Sequence, residues 1–320
     1  MITEPVVATT YVAERTAPPA ALKDWLVIIN PAAGQQHAHH WMAALSQRLQ
    51  HELDAEVVIT RSYAEIAERL GPTCRARGIA VFGGDGTIAE VVNHMNLAEQ
   101  RLLLLAGGTG NGLARDLGIM SIDHALSAFR ANAHVAIDLL QVTLRTPHTQ
   151  IRRLAVSTSS LGYAAKTVVL AKQLPRLLGA FRYTIASLLQ AAHMSACRLS
   201  VTIDGAPARE VQLTDLMVNN TRHTGNFSAF RQARLRDGRS DVLLTDNRFW
   251  QQVRCNFGLL MQTYAYVRGQ ELSAKTMHVR ATTPLRLMLD GEIWDDVYQV
   301  SFAVLPKRLR CYYWRGAPLL

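Results

Sequence analysis

The first part of the chain alternates short apolar runs with amphipathic stretches. The run from Trp25 to Ile29 is continuously apolar, which is typical of a strand buried on both faces of a parallel sheet. The stretch that follows carries Trp41, Leu45 and Leu49 on one face and predicts a helix. The alternation continues with strands at 56–60, 79–82 and 102–105 and with helices at 63–70, 88–95 and from about 113. Strands that alternate with helices predict a doubly wound α/β domain.

Beyond about residue 138 the pattern changes to short, mostly alternating segments separated by Asp-Gly turns. The predicted strands are 151–158, 197–203, 211–218, 241–245, 278–281, 285–289 and 297–304. Helices are expected at about 162–194 and 248–269 within this part. We therefore divide the chain into a tail (1–22), an α/β domain (23–138) and a mostly antiparallel, β-rich domain (139–320), whose last segment could return to the first domain.

Composition and charge narrow the functional classes. The chain has 320 residues, of which 49% are hydrophobic, and a net charge of +9. The positive charge favours an anionic partner, but no helix-turn-helix, zinc or RNA-binding signature is present, so no nucleic acid is expected. Its 4 cysteines are scattered, which favours reduced thiols. Without a signal peptide or a long apolar run, we expect a cytoplasmic protein with at most peripheral membrane contact.

The loop Gly83-Gly84-Asp85-Gly86-Thr87 lies between a predicted strand and a predicted helix. Its glycines let the backbone approach a ligand, and a helix N-terminus suits phosphate. Asp85 would repel phosphate unless a cation lies between them, so its presence indicates Mg²⁺. Thr87 followed by Glu90 also predicts a capping box. The alternative is a tight turn with a solvated Asp85.

Further strand ends carry the same kind of residue. Gly107 to Gly112 again follows a strand and opens a helix, and Asn30 to Gly34 and Thr60 end the first two strands. The carboxyl ends of parallel strands meet at one edge, so these segments should line one crevice. Neither a P-loop nor a dinucleotide fingerprint is present.

These motifs in this order, together with Asp290-Gly291-Glu292, resemble the diacylglycerol kinase catalytic-domain family. That family includes bacterial lipid kinases and the sphingosine and ceramide kinases. The resemblance covers the chain from about residue 24 to its C-terminus. The Gly-Gly-Asp-Gly-Thr loop alone is shared with NAD kinases. Without the resemblance, Asp290-Gly291-Glu292 would be interpreted as a hairpin turn.

The resemblance implies that ATP binds in the first domain and that a lipid hydroxyl is phosphorylated in the cleft between the domains. Asp85 matches the acid that organises Mg²⁺ and phosphate, and Glu292 matches the general base. The implied nucleotide contacts are Asn30, Gly34, Thr60, Gly83, Gly84, Asp85, Gly86, Thr87, Gly108, Thr109 and Asn111.

Two positions differ from the pattern of the family. Gly112 stands where many members have Asp, which could weaken metal positioning or shift the acceptor from diacylglycerol toward a long-chain base; Asp116 could partly substitute. The resemblance also implies a second Mg²⁺ held by Asp237 and the backbone carbonyls of Arg234 and Arg239. Arg239 replaces a usually hydrophobic residue, and an ordinary turn is the alternative.

The leading hypothesis is an ATP- and Mg²⁺-dependent lipid kinase that meets its substrate at an anionic membrane surface. The alternatives are a soluble-substrate kinase of the NAD kinase type and a catalytically inactive lipid or nucleotide sensor; a homodimer is left open. The apolar stripe within 177–194 could pack in the core or line an acyl-chain pocket. The predicted membrane contacts are two basic clusters, namely Arg231, Arg234, Arg236 and Arg239, and Lys307, Arg308 and Arg310.

Overall fold

The first domain of the computed structural model is built on four parallel strands. The structure describes residues 23–32, 38–108, 110–179, 181–224, 227–230, 232–260 and 269–316. The strands lie in the order β4-β3-β1-β2. Its elements are β1 (Trp25–Ile29), α1 (Ala38–Leu53), β2 (Ala55–Ile59), α2 (Tyr63–Arg69), β3 (Gly78–Gly83), α3 (Asp85–His94), β4 (Arg101–Ala106), α4 (Gly112–Asp116) and α5 (Ile122–Arg130). The predicted α/β domain is confirmed.

The second domain is mostly antiparallel, as predicted. Its path through the sheet is β14-β13-β10-β7-β15-β16, and β5, β6, β8 and β9 pair off this path. The strands are β5 (His134–Arg145), β6 (Gln150–Ala155), β7 (Thr158–Gly162), β8 (Cys197–Ile203), β9 (Arg209–Leu213), β10 (Asp215–Asn219), β11 (His223–Thr224), β12 (Phe227–Ser228), β13 (Ser240–Thr245), β14 (Gln270–Ala274), β15 (Thr276–Leu289) and β16 (Glu292–Tyr312).

Several predicted strand boundaries are wrong. The stretches 151–158 and 211–218 each divide into two strands, β6 with β7 and β9 with β10. Conversely, 278–281 and 285–289 belong to the single strand β15, whose register against β16 shifts between Arg280 and Leu285. Pro284 lies in that shifted segment. Because proline cannot donate a ladder hydrogen bond, the pairing is interrupted there, but the strand continues through a bulge.

Two paired strands, β5 and β16, run from one domain into the other. Leu139 pairs with Leu305, and both belong to the first hydrophobic core, whereas the next pair, Leu140 with Val304, belongs to the second. Successive strand residues point to opposite faces, so the covered face changes at this step. The expected boundary at 138 therefore lies inside a continuous strand. At its end, β16 pairs in parallel with β4.

Three helices and one short turn lie on the second domain. They are α6 (Tyr163–Gln173), a 3₁₀ turn (Arg176–Leu178), α7 (Phe181–Ala191) and α8 (Phe249–Leu260). Residues 261–268 of the second predicted helix lie outside the described residues. The expectation that the apolar stripe of 177–194 packs in the core is wrong, because Phe181, Leu188 and Leu189 are exposed. Among the described residues, no helix has both the length and the apolar character needed to cross a membrane.

Asp215, at the start of β10, is a buried carboxyl whose titration should be measurable. Its Oδ1 accepts hydrogen bonds from the Ser160 hydroxyl at 3.2 Å and the Ala164 amide at 3.3 Å, and burial raises its pKa to about 7. An acid with a raised native pKa stabilises the fold below its unfolded pKa of about 4, and this contribution is lost as the pH rises toward 7.

Asp215→Asn mimics the protonated form and should remove this pH dependence. We expect the free energy of unfolding of the variant, relative to the native sequence, to increase by about 1 kcal/mol per pH unit between about pH 5 and pH 7. Denaturant titrations at several pH values measure this difference. A difference that does not vary with pH would show that Asp215 titrates in the folded protein as it does in the unfolded chain.

Candidate active site

The two glycine loops touch each other backbone to backbone at the ends of neighbouring strands. Gly83 ends β3 opposite Ala106 of β4. A Cβ added to Gly108 would lie 2.4 Å from the Cα of Gly84, so neither loop could approach the other if Gly108 carried a side chain. The first loop turns directly into α3, whose N-cap is Gly84. The predicted convergence of these two strand ends is present in the structure.

Asn111 maintains the shape of the second loop. Its backbone is left-handed, with φ of 52°, and its side-chain amide closes a pair of hydrogen bonds with the backbone of Gly108, at 2.8 Å to the N–H and 2.7 Å to the carbonyl. Asn and Gly tolerate this backbone region best. Asn111 therefore acts through the loop backbone. Two of the implied nucleotide contacts, Gly34 and Thr109, lie outside the described residues.

The end of β1 is tied to the first glycine loop. The Asn30 side chain donates to the Thr87 hydroxyl at 2.8 Å and accepts from the Ala32 amide at 2.9 Å. Thr60 is buried, and its hydroxyl donates to the Ile29 carbonyl at 3.3 Å. Asn30 and Thr87 thus lie at the same edge of the sheet, and Thr60 joins the end of β2 to the end of β1.

The predicted capping box at Thr87 is wrong. Helix α3 begins at Asp85, so Thr87 is already inside the helix and its hydroxyl accepts from Asn30. Glu90 does not return to the helix start, because its carboxylate contacts His94 at 2.9 Å and Arg153 at 2.6 Å. The extended Gly84 backbone lets the helix begin three residues earlier than the Thr-x-x-Glu pattern indicates.

Asp85 presents one satisfied and one unsatisfied oxygen. Its Oδ2 accepts from the Gly112 amide at 3.1 Å, whereas its Oδ1 is buried without a hydrogen-bond partner among the described residues. Burial raises its pKa, and the Asp116 charge adds to that effect, while the Gly112 and Leu113 amides and Arg115 oppose it. An unpaired buried carboxylate oxygen is costly unless a cation or a proton satisfies it.

This arrangement fits a magnesium ion held largely by a nucleotide. The described residues contain no group of three or more His, Cys, Asp or Glu side chains that could hold a metal. Mg²⁺ commonly uses one or two carboxylates together with substrate phosphates and water. Asp85 supplies one such carboxylate beside loops whose backbone suits phosphate, so the residues present fit the ion.

Gly112 is required by packing. A Cβ at this position would lie 2.8 Å from both the His223 carbonyl oxygen and the Ser157 hydroxyl. Asp116, which was expected to substitute for a missing acid here, has both oxygens engaged elsewhere: one accepts from the Arg222 amide at 2.5 Å and the other bonds the His223 ring. Its carboxylate anchors the start of β11, so its two oxygens are occupied there.

Asp290 is a buried carboxylate that organises the second domain beside the site. Its two oxygens accept three backbone hydrogen bonds, from Val156 and Ser157 at 2.8 Å and from Thr158 at 2.9 Å. These amides belong to the bend between β6 and β7 and to the first residue of β7. Burial raises the Asp290 pKa to about 7, although the three amides act in the opposite direction.

The Asp290-Gly291 turn brings the second domain against the first glycine loop. It is the two-residue connection between Leu289 and Glu292, and both turn residues have positive φ, 48° and 91°. A Cβ on Gly86 would lie 3.1 Å from the Asp290 carbonyl oxygen. The motif is therefore a hairpin turn, and the same turn positions Glu292 beside the loop that contains Asp85.

Glu292 begins β16, and its side chain is 41% exposed. Arg153 links it to the first domain, because the same guanidinium nitrogen lies 3.5 Å from Glu292 and 2.6 Å from Glu90 of α3. Glu90 also bonds His94. A partly exposed carboxylate held by an arginine can accept a proton from a substrate hydroxyl while remaining open to that substrate.

Two further side chains near Glu292 were missed by the sequence analysis. Burial and the negative charges of Glu292 and Glu90 raise the pKa of Tyr63, the first residue of α2. Lys172 of α6 donates to the Gly291 carbonyl at 2.7 Å. Tyr63 follows a predicted strand end, which was a usable signal, whereas nothing local marks Lys172.

The turn expected to hold a second Mg²⁺ is closed by its own hydrogen bonds. Asp237 is exposed and accepts from the Arg239 amide at 3.0 Å, and the Arg239 guanidinium bonds Asp204 and Ser273. Arg234 is exposed. The alternative of an ordinary turn describes these contacts, and the second metal ion stays a prediction.

Family models match both halves of the chain. The diacylglycerol kinase catalytic domain matches residues 24–142, and the YegS C-terminal NAD kinase beta sandwich-like domain matches residues 157–313. A Streptococcus pneumoniae serotype 4 protein named "Putative lipid kinase" is 28% identical over 124 residues, which make up 37% of this chain and 42% of that protein. The match therefore spans less than half of that relative.

Solved structures share the fold over nearly the whole chain. A Bacillus anthracis str. Sterne structure, described as a putative diacylglycerol kinase, has a TM-score of 0.73 at 19% identity and covers 92% of this chain and 99% of its own. Another, described as a diacylglycerol kinase from the same organism, has a TM-score of 0.66 at 16% identity, with 92% and 98% covered. At such identities the likeness shows the fold alone. Both family models match in order, and on that ground the chain belongs to the diacylglycerol kinase catalytic-domain family.

Proposed function

We propose that this protein is an ATP- and Mg²⁺-dependent lipid kinase that phosphorylates a lipid hydroxyl between its two domains. One observation carries the proposal. The Asp290-Gly291 turn of the second domain packs against Gly86, and this contact places the Glu292 carboxylate beside the loop that holds Asp85. A phosphate-binding side and a proton-accepting side then face the same cleft, which is what phosphoryl transfer to a hydroxyl needs.

The nucleotide side is formed by the first domain. The glycine backbones of both loops and the N-terminus of α3 can receive phosphate oxygens, since the helix start presents free N–H groups and a positive dipole. Mg²⁺, when bound, would neutralise phosphate charge and orient the transferred group. Asp85 would hold it through the oxygen that lacks a partner in the described part of the chain.

The acceptor side is formed by the start of β16. Glu292 accepts the proton of the attacking lipid hydroxyl, because an alcohol is a poor nucleophile until that proton leaves. Arg153 positions the carboxylate through its bridge to Glu90. Lys172 fixes the turn through the Gly291 carbonyl. The proposed acceptors of the phosphoryl group are diacylglycerol-like and long-chain-base-like lipids.

A transfer assay separates this proposal from its two alternatives. Labelled ATP with Mg²⁺ is incubated with diacylglycerol, monoacylglycerol, sphingosine, ceramide, undecaprenol, phosphatidylglycerol and NAD. We expect label in at least one lipid. Label in NAD alone would establish the soluble-substrate kinase instead. Label in no acceptor, with ATP still bound, would favour the inactive sensor.

Removing the proposed base should slow the chemical step without weakening nucleotide binding. Glu292→Gln keeps the shape of the side chain but cannot accept the proton, and loss of a general base lowers kcat by roughly 10²–10⁴-fold. ATP affinity should be nearly unchanged, because ATP contacts the other domain. Steady-state rates and ATP titration measure both quantities.

Asp295→Asn is the matched control for this change. Asp295 is another partly exposed carboxylate of β16, three residues further on, and it pairs with Arg286. Its kcat should equal that of the native sequence. A Glu292→Gln enzyme with near-normal kcat would remove Glu292 from the mechanism.

Asp85→Asn should raise the Mg²⁺ concentration needed for half-maximal rate. A neutral amide is a weaker ligand than a carboxylate, and loss of even an outer partner of a metal costs about 10-fold or more in affinity. The rate is measured against Mg²⁺ concentration, with Asp123→Asn, an exposed acid at the start of α5, as the control. An unchanged Mg²⁺ dependence in a folded variant would mean that Asp85 does not hold the ion.

A further inference from the structure

The helices on the second domain contact one another through polar side chains and expose their large apolar side chains. We call α6, the 3₁₀ turn, α7 and α8 the helical cap. Inside it the helices join through polar groups: the Tyr163 hydroxyl bonds Ser187 at 2.7 Å and Asn256 at 3.2 Å, and Ser187 bonds Asn256 at 2.8 Å. Gln252 extends this network. A water-facing helix normally buries its apolar face instead.

The outer side of the cap is apolar. Leu177 is 97% exposed, Phe181 68% and Trp250 74%. Leu188 lies on the same face of α7 as Phe181, two turns on, and Phe257 bears the same relation to Trp250 in α8. Of the eleven large apolar side chains that the described residues expose, seven belong to the cap. Such a concentration marks a surface that is covered by something else.

The charge of the cap indicates what covers it. The four segments of the cap, 163–173, 176–178, 181–191 and 249–260, carry five basic residues and no Asp or Glu. The five are Lys166, Lys172, Arg176, Arg182 and Arg254. Apolar and aromatic side chains accompanied only by cations match the boundary of an anionic bilayer, where acyl chains meet negative headgroups. A second copy of this chain would bring two positively charged surfaces together.

The cap also adjoins the candidate active site. Lys172 of α6 donates to the carbonyl of Gly291, the residue before Glu292. A lipid headgroup in a bilayer contacted by the cap would therefore lie near the proposed base, and the lipid need not leave the membrane completely.

We propose that the helical cap docks on the surface of an anionic bilayer. Leu177, Phe181 and Trp250 enter the boundary between headgroups and acyl chains, and the neighbouring cations bind headgroup phosphates. This inference rests on the proposed lipid kinase function, which supplies the reason for the protein to dock on a membrane. Docking itself is a binding event that needs no ATP, so it is measured separately from phosphoryl transfer.

The loops predicted from sequence to contact the membrane offer a different surface. The turn before β13 and the bend in β16 meet at Asp138, whose carboxylate accepts from the amides of Gly238 at 2.6 Å and Lys307 at 2.7 Å. Exposed basic side chains of both segments, Arg236 and Arg308 among them, are thereby brought together. No large apolar side chain of these two segments is among those exposed in the described residues. This surface could attract anions, but among the described residues it offers no large apolar side chain that could insert into a bilayer.

Vesicle sedimentation distinguishes the two surfaces. The full chain is mixed, without ATP, with vesicles of phosphatidylcholine alone or of phosphatidylcholine and phosphatidylglycerol in equal amounts. We expect binding to the mixed vesicles. The triple variant Leu177→Ser, Phe181→Ser, Trp250→Ser should bind them at least about 10-fold more weakly, since three inserted side chains are lost. Met120→Ser, which changes an exposed apolar residue of the first domain, should bind normally.

The competing variant replaces Arg234, Arg236, Lys307 and Arg308 with Gln. If it loses binding while the triple variant keeps it, the basic loops are the docking surface and the cap is not. Absence of vesicle binding by the native sequence at low salt would also overturn the proposal. So would a dimer of the native chain that the triple variant converts to a monomer, because the cap would then be an interface between copies.

Phosphoryl transfer to a detergent-dispersed acceptor separates docking from catalysis. The triple variant should transfer at the normal rate there and slowly with vesicles. Vesicle binding without transfer to any lipid would leave docking in place and contradict the kinase function. Normal transfer by the triple variant from vesicles and from detergent alike would overturn docking and leave the kinase function in place.

Discussion

The candidate site depends on one buried carboxylate. The Asp290 carboxylate accepts hydrogen bonds from the backbone amides of Val156, Ser157 and Thr158. These bonds tie the β15–β16 hairpin to the bend between β6 and β7. The same hairpin turn rests against Gly86 of the other domain, where a larger residue would not fit without displacing it. The proposed base Glu292 therefore has a defined place only because Asp290 anchors the turn that precedes it.

The shared sheet gives this contact a fixed frame. β5 and β16 pass from one hydrophobic core to the other and pair along their length, so the two domains are joined by two hydrogen-bonded strands. Arg153 adds a side-chain link by joining Glu292 to Glu90 of α3. A water-soluble nucleotide and a lipid can then be held by different domains and still meet at one point.

The sequence pattern predicted the features that depend on a few neighbouring residues. The glycine loops, the buried parallel strands and the Asp-Gly turn each leave a signature within a few residues. The partners of Glu90 and the contact of Lys172 with Gly291 are tertiary, so no spacing reveals them. The stripe in α7 was visible, but periodicity does not say which side faces solvent. The structure shows that its apolar side does, because Ser187 on the other side joins the polar network.

The most direct test of this account is the kinetics of Asp290→Asn, in which the amide cannot accept all three backbone hydrogen bonds. The account predicts a folded variant whose kcat falls by about 10²-fold or more, because a misplaced catalytic group costs that much. Its ATP affinity should stay within about threefold of the native value, since the proposed ATP site lies in the first domain. An unchanged kcat would show that the Asp290 turn does not position the proposed catalytic carboxylate of Glu292.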